Sequence, residues 1–138
     1  MTKLFSTILL FTLGAMLTIS ADARRRDTAA QQMTVYDATA VDVRPEFPGG
    51  DRAMLAYINR TLSYPESARA EGIHGRVLCG FVVTPEGELT HVSIVRGVEA
   101  SLDREALRII SAMPRWSAGR RGNETVAVYC VLPIGFRL

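Results

Sequence analysis

Residues 75–96 leave the backbone little choice. From Gly75 to Val83 the side chains sort with a period of two. Val77, Cys79, Phe81 and Val83 share one face, and Leu78, Gly80 and Val82 share the other, which is the pattern of a strand. Thr84-Pro85-Glu86-Gly87 follows, with proline and glycine where a tight turn needs them. Leu89 to Arg96 returns as a second strand, so the pair predicts an antiparallel hairpin. Alternation in the return strand is imperfect, which leaves room for a bulge.

Helical patterns flank this hairpin. Pro48-Gly49-Gly50 reads as a turn, and Asp51 is placed to cap a helix running through Thr61. Met54, Leu55, Ile58 and Leu62 fall at helical spacing on it. Tyr64-Pro65 opens a shorter helix with Pro65 at its first position, and Gly72 can end it in the left-handed conformation. A third helix is capped by Ser101 or Asp103, carries the apolar stripe Leu102, Ala106, Ile109, Ile110 and Met113, and stops at Pro114. Gly119 to Asn123 read as a basic, glycine-containing loop. Thr125 to Leu132 form the last strand, with Val126, Val128, Cys130 and Leu132 on one face. The expected class is α+β: a three-stranded antiparallel sheet with helices packed on one face. Cys79 and Cys130 then both point toward the helices. They either pair, if their strands adjoin and the bond geometry can be met, or serve as two small buried apolar residues.

The N-terminus has a different logic. Lys3 precedes an uncharged run from Leu4 to Ile19, and Ser20-Ala21-Asp22-Ala23 offers a small-residue cleavage site. That is the form of a secretory signal peptide over residues 1–23, with an uncleaved inner-membrane anchor as the other reading. Arg24, Arg25 and Arg26 follow at once, and positive charge there favours retention of the next segment. Residues 24–44 form a polar tether without proline, and those 21 residues reach roughly 70 Å at full extension. The folded domain is expected over 45–138. Export brings an oxidising compartment, in which two cysteines are able to join.

Composition excludes more than it selects. A formal net charge of +2 with 22% charged residues is too small to call for nucleic acid. His74 and His91 stand outside any metal-ligand spacing, and no nucleophile elbow, phosphate loop or dinucleotide fingerprint occurs. Asp103 and Glu105, two apart on a helix, do not share a face and suit the charge of a helix start. The expectation is a protein that is not an enzyme and has no cofactor or metal. Arg120 and Arg121, with Arg115 nearby, form either a solvated loop or a patch that steers an acidic peptide or lipid head group. Trp116 is expected to pack over the core.

Several segments together are similar to one family. Tyr64-Pro65-Glu66-Ser67-Ala68-Arg69-Ala70-Glu71-Gly72-Ile73-His74-Gly75 resembles the YPxxAxxxGixG opening of the TonB C-terminal domain. The hairpin from Gly75 to Val95 resembles its GxVxxxFxVxxxGxVxxVxV pattern. Leu102-Asp103-Arg104-Glu105-Ala106-Leu107 resembles its helix start, and Met113-Pro114-Arg115-Trp116 with Gly119 its MPxWxPG segment, with Ala118 in place of proline. Val126 to Phe136 resembles the closing VxVxYxLPIxF strand, with Cys130 in place of an aromatic. Pro45-Glu46-Phe47-Pro48-Gly49-Gly50 is similar to the PxFPGG lead-in of the Bacteroidetes branch. The resemblance covers about residues 45–138.

That resemblance implies a mechanism. TonB-like domains take the TonB box of TonB-dependent outer-membrane transporters as an added strand on the edge of their last strand, and the ExbB–ExbD motor of the inner membrane pulls on the joint. Added strands gain affinity from main-chain hydrogen bonds and selectivity from side-chain pockets. The protein-binding residues implied here are Thr125, Val126, Ala127, Val128, Tyr129, Cys130 and Val131. TonB-like domains also self-associate through this strand, which makes a homodimer or an envelope adaptor without a transport role the alternative. The chain departs from full transducers in its short, proline-free tether and its cleavable-looking leader. A stand-alone periplasmic binding module is the expectation.

Overall fold

A computed structural model describes residues 33–138 of the protein. The expected leader and the beginning of the tether lie outside the described residues. Strands β2 (Gly75–Val83) and β3 (Leu89–Arg96) form the expected hairpin with the expected limits. At its turn Gly87 N–H donates to Thr84 O and Thr84 N–H to Glu88 O, each at 2.8 Å. The register slips twice along β3, so the anticipated bulge is a pair of bulges. At one of them His91 takes a positive φ of 52°, the only non-glycine residue to do so among the described residues.

The last strand, β5 (Glu124–Phe136), pairs antiparallel with β2 from Val128↔Val83 to Phe136↔Gly75. It is longer than the sequence suggests because Pro133 does not end it. Proline is tolerated in a strand where its missing N–H is not needed by the ladder.

Two further strands correct the three-stranded expectation, and they make the sheet mixed. β1 (Val35–Asp37) lies parallel to β5, with Val35↔Ala127, Tyr36↔Val128 and Asp37↔Tyr129. β4 (Gly119–Arg121) pairs antiparallel with Glu124–Val126 around the turn Gly122-Asn123, in place of the expected loop. The strand order is β1-β5-β2-β3, with β4 against β5. Both additions are three residues long, too short to show any period of their own. Their conformation is set by the edge of β5 and not by their own side chains.

Three helices complete the α+β fold: α1 (Gly50–Thr61), α2 (Glu66–Ala70) and α3 (Ala100–Ser111). Asp51 is not the cap of α1. Gly49, at φ 88°, takes that position without a side-chain bond, and Asp51 lies in the first turn. Glu99 caps α3 through Ser101 N–H, in place of Ser101 or Asp103, while the Asp103 carboxylate accepts from Val98 N–H at 3.0 Å. Pro65 stands one residue ahead of α2, and Gly72 is left-handed as expected.

The core lies between the helices and one face of the sheet. Val77, Cys79, Phe81 and Val83 of β2 meet Leu102, Ala106, Ile109 and Ile110 of α3, all fully buried. Ile134 and Phe136 of β5 close the same layer. Leu55, expected on the packed stripe of α1, is instead 58% exposed, whereas Ile58 is buried. Among the described residues no helix is long and apolar enough to cross a membrane.

Candidate protein-binding edge

The seven implied binding residues fall into three groups along β5. Thr125 and Val126 are paired with β4. Ala127, Val128 and Tyr129 carry β1. Val128 and Tyr129 therefore have strand neighbours on both sides, Tyr36 and Val83 for the first, Asp37 and Val82 for the second. Cys130 and Val131 pair with β2 alone, and so does the rest of β5 to Phe136, among the described residues. The backbone edge of β5 is open from Cys130 onward and covered before it.

Side chains along β5 alternate between two environments. Leu132 and Ile134 enter the helix-covered layer and Val128 is fully buried, while Tyr129 and Val131 stand 41% and 48% exposed on the other face. Tyr129 lies over Gly80, where a β-carbon would collide with its ring and hydroxyl. Glycine at this strand position makes room for the ring, a recurrent reason for glycine within strands.

A groove of about 850 Å³ opens beside the uncovered edge. Tyr129 to Leu132 form one wall, and the segment from Asp37 to Phe47 forms another, with Asp51 and Met54 of α1 at its end. Phe81 and Trp116 lie at its base. Their rings meet edge to face with centroids 5.3 Å apart, and Phe47 adds a second such contact to Trp116 at 6.1 Å. This geometry is the favoured one for aromatic pairs. Trp116 is fixed from behind, since its backbone N–H donates to Gly87 O at 2.9 Å. Its indole Nε1 is buried and has no acceptor among the described residues.

The rim is acidic. Asp37, Asp42, Glu46 and Asp51 line the groove together with Arg44. Two of the four carboxylates have local tasks: Asp37 caps the 3-10 turn Ala38–Ala40 by accepting from Thr39 N–H, and Asp42 accepts from Gly122 N–H at 2.6 Å.

The cysteines do not pair. Both are free thiols, because Cys79 stands opposite Leu132 and Cys130 opposite Phe81. They are diagonal neighbours, and such pairs sit about 7–8 Å apart, beyond the reach of a disulfide. Cys130 is half-buried in the groove wall. Burial pushes its thiol up, with Arg44 pulling the other way. Burial, helped by the Asp103 charge, pushes Cys79 up to about 11.

The remaining candidates are placed elsewhere. His74 and His91 are exposed, and neither lines the groove. No cluster of three or more metal-binding side chains occurs among the described residues. Arg115 reaches Glu88 at 2.9 Å. Arg121 stacks its guanidinium 4.9 Å above the ring of Tyr36, so one cation of the expected basic patch serves to hold β1. Sequence reasoning misses the groove, whose walls come from well-separated segments of the chain. The one available signal is Trp116, which packs against the core as expected and also lines the groove.

The family described as Gram-negative bacterial TonB protein C-terminal matches residues 60–138, more than half of the chain. The chain belongs to that family. Solved structures similar to this TonB C-terminal domain include two solution structures of the same domain from Helicobacter pylori. One is 25% identical, covers 62% of this chain and 90% of its own, and superposes with a TM-score of 0.47. The other is 28% identical, covers 66% and 86%, and gives 0.48. No curated protein matches the chain. In this TonB C-terminal domain the matched stretch takes in α2, α3 and β2 to β5, while β1 and nearly all of α1 precede it.

Proposed function

We propose that this chain is a non-catalytic periplasmic module that binds TonB-dependent outer-membrane transporters by taking their TonB-box segment as an added strand on β5. One observation carries the reading: the edge of β5 already accepts an extended segment, β1, in parallel register. Strand addition needs such an edge, since it draws its affinity from main-chain bonds. Among the described residues the edge is free of a second neighbour from Cys130 on, and the groove beside it offers pockets for alternate side chains. The acidic rim disfavours acidic guests and suits a segment carrying a basic residue.

The test is a titration of the intact chain with labelled peptides that span the N-terminal segments of the host's outer-membrane transporters. Amide exchange read residue by residue should slow within Cys130–Gly135, Pro133 having no amide to exchange, as a peptide binds. Binding that leaves those amides unchanged, or no binding by any peptide, would sink the proposal.

A second reading is self-association. Tyr129, Val131 and Val95 leave an apolar patch on the sheet face away from the helices, with Val95 52% exposed. Apolar patches mark contact surfaces. Sedimentation equilibrium over a wide concentration range separates a 15.1 kDa monomer from a dimer.

A further inference from the structure

The strand that covers Ala127–Tyr129 comes from the tether, and it is weakly held. β1 is three residues long, against nine register pairs between β2 and β5. None of its residues belongs to the buried core, and Val35 is 42% exposed. The 3-10 turn that follows it buries no residue. Among the described residues, the side-chain clasp on it is the stacking of Arg121 on Tyr36 at 4.9 Å, at a site open to water where such contacts are weak. A short strand with few buried contacts lies at the low end of local stability and opens without the rest of the fold.

Its position gives that opening a meaning. β1 sits on the same edge, and ahead of the same open stretch, that a guest strand would use. A guest running parallel to β5 from Ala127 through Val131 must take the main-chain partners β1 now holds. Restricted to Cys130 and beyond, it would lose three residues of ladder and meet Pro133, which has no N–H to give.

We infer that β1 is a removable internal occupant of the binding edge, so that the tether competes with the guest strand and sets its apparent affinity. The inference rests on the strand-addition reading above. A guest sees only the fraction of molecules whose edge is bare, and its apparent dissociation constant is raised by the inverse of that fraction. Because β1 is joined to the domain, it competes at a high effective concentration however dilute the protein is.

The experiment uses the intact chain and a Tyr36→Pro chain, titrated with the same transporter N-terminal peptides. Proline removes the Tyr36 N–H and the stacked ring, and the site lies outside the core. The peptides should bind Tyr36→Pro about tenfold more tightly. In the intact chain, bound peptide should also speed amide exchange at Val35–Asp37 while slowing it at Val131. Tyr36→Ala, which leaves the backbone unchanged, should give a smaller gain and guards against misfolding of the proline variant. Equal affinity for the three chains, with Val35–Asp37 still protected, would overturn the inference and leave strand addition standing. If no peptide binds any of the chains, both readings fall together.

Discussion

Gly87 joins the hairpin to the groove. It holds φ at 85°, and a β-carbon there would run into the backbone carbonyl of Trp116. Backbone cannot swing aside as a side-chain end can, so Gly87→Ala combines left-handed strain with a displaced Trp116. We expect a loss of about 1–3 kcal/mol, measured by urea unfolding, and a shift in Trp116 fluorescence. Glu105 is the buried carboxylate to test by pH. It accepts from Ser63 N–H at 2.6 Å and from Arg108 Nη2 at 2.8 Å. Burial alone would raise its pKa, but the Arg108 hydrogen bond, the Ser63 N–H and the Arg108 charge outweigh that and hold it below the ordinary 4.5. Its contribution to stability is therefore full above that value and lost as pH falls through the lower folded value. Glu105→Gln should flatten the acid limb of the stability curve and cost about 1–3 kcal/mol near neutral pH. Cys130 and Cys79 give a third residue-level test. Cys130, partly open to the groove, should react with an alkylating reagent before the fully buried Cys79, and bound peptide should slow it. Mass mapping of the labelled protein reads both.

At the level of elements, α3 docks through the stripe that its sequence announces. Ile110 is fully buried against β2, and Ile110→Ala should cost about 2–5 kcal/mol by chemical denaturation. The hairpin and this helix are legible because each carries a period of its own, two for β2 and β3 and about 3.6 for α3. β1 and β4 are not, because Val-Tyr-Asp and Gly-Arg-Arg become strands only through the neighbour they lie on. Pro133 and the caps Gly49 and Glu99 escape sequence reasoning for a related reason: whether a proline or a cap is tolerated depends on which backbone groups lack partners, which only tertiary structure decides. The same holds for the cysteines, since a small register offset separates a bonded pair from a diagonal one. The candidate edge is half legible. The sequence marks the strand itself, but the neighbours that cover its first half include β1, which lies far away in the chain. Val128→Pro, an obvious way to disturb the edge, is for that reason a poor probe, because Val128 is fully buried and paired on both sides.

For the whole molecule, Thr34 to Leu138 form one compact unit, yet its elements differ in what they hold up. Tyr36→Pro should leave the cooperative melting transition nearly in place, with a change below about 1 kcal/mol, as for surface positions away from the core, while the core substitutions above lower it. Calorimetry of the variant and the intact chain makes that comparison. The pairing of β1 with β5 also unites the two ends of this unit, since the first strand lies parallel to the last. When the two ends are drawn away from each other, parallel neighbours slide along each other and their bonds strain together, unlike a hairpin, whose bonds unzip in succession. A pull on Thr34 against Leu138 therefore loads β1 in shear. The strand that a competing peptide lifts off sideways is the one that resists a lengthwise tug, so the domain can be loose toward a guest and firm toward its own tether.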